Sequence, residues 1–182
     1  PQGFEPRAHI DLDALRHNLR VAAAAAPDGK VMAVIKANGY GHGMQRVASA
    51  LAAADAFAVA RVGDGVALRE AGVTHPLLVL AGCHDADELA AAAAHDLQLV
   101  VQQRGQVDLL NSAELGRQLR CWLKVDTGMN RLGFCAGQAA GAFRDLQACT
   151  NVHGDPALMT HLANADDLDD DYTLTQLQRF QD

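Results

Sequence analysis

The sequence is short of aromatic side chains: one Trp, two Tyr and five Phe make up 4% of 182 residues. A platform that stacks nucleic-acid bases needs more rings than that. Positive charge is scarce as well, with 15 Lys and Arg against 22 Asp and Glu, a net of -7. Proteins that track a phosphate backbone show the opposite balance, so no nucleic-acid partner is expected. Long apolar runs are missing, none reaching the ~18 residues that a membrane-spanning helix needs, so no membrane passage is expected. The opening Pro1-Gln2-Gly3-Phe4-Glu5-Pro6 lacks the basic start and apolar core of a secretory leader. It also lacks an initiator Met, so trimming or a cut boundary is expected there. The four cysteines, at 83, 121, 135 and 149, form no C-x-x-C pair, and their spacings of 38, 14 and 14 fit no zinc pattern. They read as reduced, mostly buried thiols of a cytoplasmic protein, with no metal site.

What is present is a rhythm. Apolar runs of strand length recur at 31–35, 57–60, 76–80, 97–101, 121–125 and 157–160. Each is followed by a segment with helical periodicity: around Met44, Val47 and Leu51, Val66 to Ala71 closed by Gly72, Asp85 to His95, Val107 to Leu115, Ala139 to Leu146, and Leu174 to Phe180. A first helix is expected after Asp11 or Asp13, with Leu12, Leu15, Leu19 and Ala23 on one face, broken by Pro27-Asp28-Gly29. Strands apolar on both faces, alternating with helices, predict an α/β protein with a parallel sheet buried on both sides. Two architectures compete, an open doubly wound sheet and a (β/α)8 barrel, and six βα units would leave the barrel two short. The acidic stretch Asp166 to Asp171 reads as a solvated loop.

In parallel α/β folds the chemistry gathers at the C-terminal ends of strands. The first strand ends in Ile35-Lys36-Ala37-Asn38-Gly39-Tyr40-Gly41-His42-Gly43. An amine directly after a buried run is costly to desolvate. Desolvation lowers its pKa and makes it usable for Schiff-base chemistry. The glycines allow a sharp turn and close approach to a ligand, and the Tyr40 hydroxyl could donate to a phosphate. The bland alternative is a Lys36 that snorkels. The fifth strand ends in Lys124-Val125-Asp126-Thr127-Gly128-Met129-Asn130-Arg131. Period two places Lys124 and Asp126 on one face, where Lys124 needs a compensating partner. The structural alternative is a Lys124–Asp126 pair with Arg131 on the surface. The sixth strand ends in Thr160-His161-Leu162, and one histidine there is weak evidence alone.

Together, the segments from Ala33 to Gly43, Trp122 to Gly133 and Met159 to Asp166, with the opening Ile10 to Asn18, resemble the alanine racemases over essentially the whole chain. The resemblance implies a fold-type-III, pyridoxal-phosphate-binding (β/α)8 TIM barrel. Residues 1–182 would be its N-terminal portion, stopping before the last two βα units and the β-rich C-terminal domain. It implies that Lys36 carries pyridoxal 5'-phosphate as an aldimine and exchanges a proton on the D-alanine face. It implies that Tyr40 contacts the cofactor phosphate and that Arg131 binds both the phenolic oxygen and the substrate carboxylate. His161 would lie beside the ring, and Lys124 would be open to carbamylation, which turns a buried cation into an anion facing Arg131. The implied protein is a cytoplasmic homodimer interconverting L-alanine and D-alanine for peptidoglycan or for catabolism. Its opposing base would be a tyrosine from the other subunit. Tyr40 and Tyr172, the tyrosines present here, fall in no matching motif. Gly39 and Leu162 depart from the residues most frequent in the family, at positions without direct chemistry. A second class of reading is a barrel that holds pyridoxal phosphate without racemising. The Lys124 to Gly133 segment favours the enzyme.

Overall fold

The computed structural model describes residues 7–182. The leader expected to be absent at Pro1–Pro6 therefore lies outside the described residues. Helix α1 (Leu12–Ala25) starts where Asp11 caps it, its side chain accepting from the backbone N–H of Asp13 and Ala14. Asp13 falls instead in the first turn, where its charge suits the helix dipole. Six strands follow the predicted runs: β1 (Met32–Val34), β2 (Ala56–Val59), β3 (Leu77–Val79), β4 (Leu97–Val101), β5 (Cys121–Asp126) and β7 (Ala157–Met159). A two-residue strand, β6 (Phe134–Cys135), was not expected; it adds to the C-terminal end of β5. The helices are α3 (Met44–Ala50), α4 (Val62–Glu70), α5 (Ala86–Ala94), α6 (Arg104–Ser112), α7 (Ala136–Ala148) and α8 (Tyr172–Gln181). Helices α4 and α6 begin four and three residues ahead of their apolar periodicity, at Val62 and Arg104.

All pairings are parallel and neighbours follow chain order, β1-β2-β3-β4-β5, with β7 also against β5. A doubly wound sheet reverses its order at a switch point. This one never does, which settles the competition in favour of a barrel-type winding. Period two then sorts the side chains. Phe57, Val59, Leu77, Val79, Leu97, Leu99, Cys121 and Leu123 face the helices and form the large core. Ala58, Leu78 and Val100 form a second, inner cluster with Met32, Trp122 and Met159 packed on it. Each fully buried Leu or Phe in these layers contributes about 1.5–3 kcal/mol.

The expectation of strands buried on both faces holds for β2, β3 and most of β4 and β5 but not for the flanks. Val34 on β1 is 40% exposed and Leu158 on β7 is 48% exposed, because each flanking strand has a neighbour on one side only among the described residues. At the N-terminal ends of the strands Arg69 closes the structure. Its guanidinium donates to the carbonyls of Val73, His75, His95 and Asp96 at 2.7–3.0 Å. No helix among the described residues is long and apolar enough to cross a membrane.

Candidate active site

The C-terminal ends of β1, β5 and β7 carry the basic residues. Lys36 opens the segment α2 (Lys36–Tyr40), which winds left-handed. Ala37, Asn38, Gly39 and Tyr40 all have φ between 52° and 64°, and Gly41 follows at 83°. Left-handed winding costs an L-residue roughly 1–2 kcal/mol, so the turn must be held. It is held by itself: Gly39 N–H donates to Ile35, Gly41 to Ala37, and Gly43 to Asn38, all within 3.0 Å. The Asn38 side chain also accepts from Met44 N–H at 2.9 Å, and His42 Nδ1 lies 2.9 Å from the Gly39 carbonyl, to which it must donate. A Cβ at Gly39 would stand 3.0 Å from Val47, which is the packing reason for glycine there. The turn leaves Lys36 half-buried and Tyr40 58% exposed at the rim.

Lys124 points to the inner face of β5 and is 8% exposed. Burial pushes its pKa down, the nearby charges of Arg131 and Lys36 push the same way, and Asp126 only partly opposes them. His161, just past β7, is also held below its ordinary value, by burial and then by Lys124, Arg131 and Lys36. The four predicted basic residues thus sense one another across the site. Among the described residues none of them has a carboxylate within ion-pair distance. Of the structural alternative, the Lys124–Asp126 pair does not form, whereas Arg131 is exposed as it expected. Asp126 instead accepts the backbone N–H of Gly128 at 2.9 Å and of Asn130 at 3.0 Å. Burial alone would raise its pKa, but these bonds, with Met129 N–H and the Lys124 charge, bring it below the usual value. Asp126 therefore shapes the loop that carries Arg131 and offsets the Lys124 charge only in part.

Sequence reasoning missed the residues that hold this loop. Thr160 Oγ1 donates to the Val125 carbonyl at 2.9 Å and lies 2.8 Å from Thr127 Oγ1. Its single proton is committed to that carbonyl, so Thr127 must donate to Thr160. Thr127 in turn accepts from Gln176 Nε2 at 3.1 Å. The chain of bonds therefore runs in one direction, from α8 through β5 and β7 back to β5. Tyr172 and Arg179 reach the same loop, donating to the carbonyls of Gly128 and Thr127 at 2.8 and 3.0 Å. Residues 172, 176 and 179 share one helix face. On α8 that polar face is turned inward, while Leu174 and Leu177 are 65% and 40% exposed. A polar stripe at this spacing opposite leucines is the signal a sequence reading could have used.

A lysine at a strand end, with Lys124, Arg131 and His161 near it and no ion-paired carboxylate among the described residues, marks the class: a barrel-type α/β protein with a basic site at the C-terminal ends of its strands. The chain belongs to the alanine racemase family, as the family model described as "Alanine racemase, N-terminal domain" matches residues 10–182. It is 55% identical over 176 residues to the alanine racemase of Thioalkalivibrio sulfidiphilus, covering 96% of this chain and 49% of that protein. It is 49% identical to the alanine racemase of Nitrosococcus oceani, covering 97% and 49%. Among solved structures, the biosynthetic alanine racemase from Pseudomonas aeruginosa superposes with a TM-score of 0.89 at 38% identity, over 94% of this chain and 48% of that one. That from E. faecalis gives 0.84 at 34% identity, over 95% and 48%. The chain spans about half the length of the curated relatives it matches.

Proposed function

We propose that residues 1–182 are the barrel portion of a pyridoxal-phosphate-dependent alanine racemase that interconverts L-alanine and D-alanine. The observation that carries this reading is the convergence of Lys36, Lys124, Arg131 and His161 with no carboxylate partner among the described residues. Pyridoxal phosphate fits that donor set, since its phosphate and phenolic oxygen supply the missing negative charge and its aldehyde suits an amine. When bound, it supplies an electron sink that makes the substrate α-proton removable at neutral pH.

In this reading the Lys36 amine holds the cofactor and exchanges a proton on the D-alanine face. Tyr40 O–H donates to the phosphate. Arg131 donates to the phenolic oxygen and binds the substrate carboxylate, while His161 lies beside the ring within a hydrogen-bonded network. Lys124 is carbamylated and faces Arg131 as an anion, which removes the cost of a buried cation at Lys124, a side chain only 8% exposed. Racemisation needs a base on each face, and Lys36 supplies one. We assign the other to the partner subunit of a homodimer. The protein works in the cytoplasm, on D-alanine for peptidoglycan or on L-alanine for catabolism. The test is chiral analysis of alanine incubated with the full-length protein, of which this chain matches about half in its relatives, and pyridoxal phosphate, with borohydride trapping and peptide mapping. Interconversion with the label on Lys36 is expected. No interconversion, or label on another lysine, would overturn the reading.

A further inference from the structure

We infer that Gln176 is a positioning residue for Arg131 and His161, an inference that rests on the racemase reading of the site. Gln176 is 0% exposed, and its amide makes three bonds. It donates to Thr127 Oγ1 and to the His161 carbonyl, at 3.1 and 3.0 Å, and accepts Ala163 N–H at 2.8 Å. One side chain therefore joins the loop that carries Arg131 to the strand end that carries His161. The same two segments are joined by Thr160, which donates to the Val125 carbonyl and accepts from Thr127, and Gln176 fills the acceptor side of Thr127. A glutamine is suited to this, since two donors and an acceptor on one rigid plane fix relative position in a way that apolar contact cannot.

Removing the amide leaves the Thr127 hydroxyl without its donor and the His161 carbonyl and Ala163 N–H without their Gln176 partner, while Thr127 keeps its bond to Thr160. Arg131 and His161 then lose their common reference. A misplacement of about 1 Å can cost about 100-fold in rate. In the full-length protein loaded with pyridoxal phosphate, Gln176→Leu should raise KM for alanine and lower kcat/KM by ~10- to 100-fold. Borohydride labelling of Lys36 should persist, because α2 is held by its own backbone. Gln178→Ala, on the exposed side of α8 and bonded to Asp182, should change neither. Gln176→Glu can donate one bond as the neutral acid and none when ionised. Its kcat/KM, taken as a ratio to that of the wild type at each pH, should therefore fall with rising pH, at temperatures well below its Tm. Thr127→Val, which leaves Gln176 in place, should shift KM in the same sense. Wild-type kcat and KM in Gln176→Leu, or, if that variant does not fold, a wild-type pH profile in Gln176→Glu and an unshifted KM in Thr127→Val, would overturn the inference. A turnover-independent readout is the affinity for pyridoxal phosphate titrated by absorbance, which should weaken several-fold in Gln176→Leu. If the wild type binds cofactor at Lys36 but does not interconvert alanine, the racemase reading fails alone, and that affinity ratio still decides the role of Gln176.

Discussion

The turn after β1 and the loop after β5 present basic side chains to the same site and are held by opposite means. The turn that carries Lys36 is bonded almost wholly to itself, from Ile35 to Met44. The loop that carries Arg131 is bonded internally through Asp126 and Asn130 and depends otherwise on Thr160 and on Tyr172, Gln176 and Arg179 of α8, 44 to 52 residues further along. The covalent attachment point is thus built locally. The groups that grip charge are built from remote parts, and their geometry is sensitive to how α8 docks.

The largest expected effect tests the local side. Lys36→Ala should abolish borohydride labelling and the visible absorbance of bound cofactor, and should cut racemisation by ~10⁴-fold or more. Labelling that moves to Lys124 would break the assignment. The next effect sets the two segments against each other. At Gly128 a Cβ would lie 2.2 Å from Tyr172 Oη, with φ at 139°, so Gly128→Ala should push α8 away and raise KM. Adding Tyr172→Phe removes that oxygen and should restore part of the loss. At Gly39 the strain stays inside the turn, with φ at 64° and Val47 at 3.0 Å. Gly39→Ala should lower the urea midpoint by the equivalent of ~1–3 kcal/mol, and no change at α8 should rescue it.

A third effect is electrostatic. The Lys124 pKa in the folded chain lies below its ordinary 10.5. Between that lowered value and 10.5 the unfolded chain holds the proton and the folded chain does not, so stability rises with pH across this window. In cofactor-free, carbon-dioxide-free buffer, urea melts of Lys124→Met should lose that slope. His161, also held low, adds a destabilisation that grows as pH falls below 6.5. The smallest effect is Tyr40→Phe. It removes one rim hydroxyl and should weaken cofactor affinity by the equivalent of about 0.5–1.5 kcal/mol, read by absorbance titration.

The same contrast explains what could be read from the sequence. All six long strands and the basic residues at their ends were legible, because alternation and a lysine after an apolar run are local patterns. Periodicity left the choice between open sheet and barrel open, since strand order is a property of distant pairings; the family resemblance named the barrel, and the strand order agrees with it. Exposure of Val34 and Leu158 escaped because an apolar run does not say whether a neighbour covers it. The left-handed winding of Ala37 to Tyr40 escaped as well: Gly39 and Gly41 pointed to a turn, but Ala37 and Tyr40 carry no signal for positive φ. The apolar periodicity located α8 but carried no information on its inward face, which is Tyr172 and Gln176 rather than Leu174 and Leu177, since the shell it meets is made of carbonyls and hydroxyls.

The left-handed turn has a consequence for stereochemistry of a different kind. A left-handed helical residue is, in mirror image, a right-handed one, so the backbone angles at Ala37 are those that a D-amino acid prefers. In a chain assembled by chemical ligation, D-alanine at position 37 would sit in its own favoured basin. It would relieve the roughly 1–2 kcal/mol that the L form pays there, with the Cβ redirected from its present exposed side. Thermal melts of the two diastereomers would measure the handedness penalty of a single residue next to Lys36.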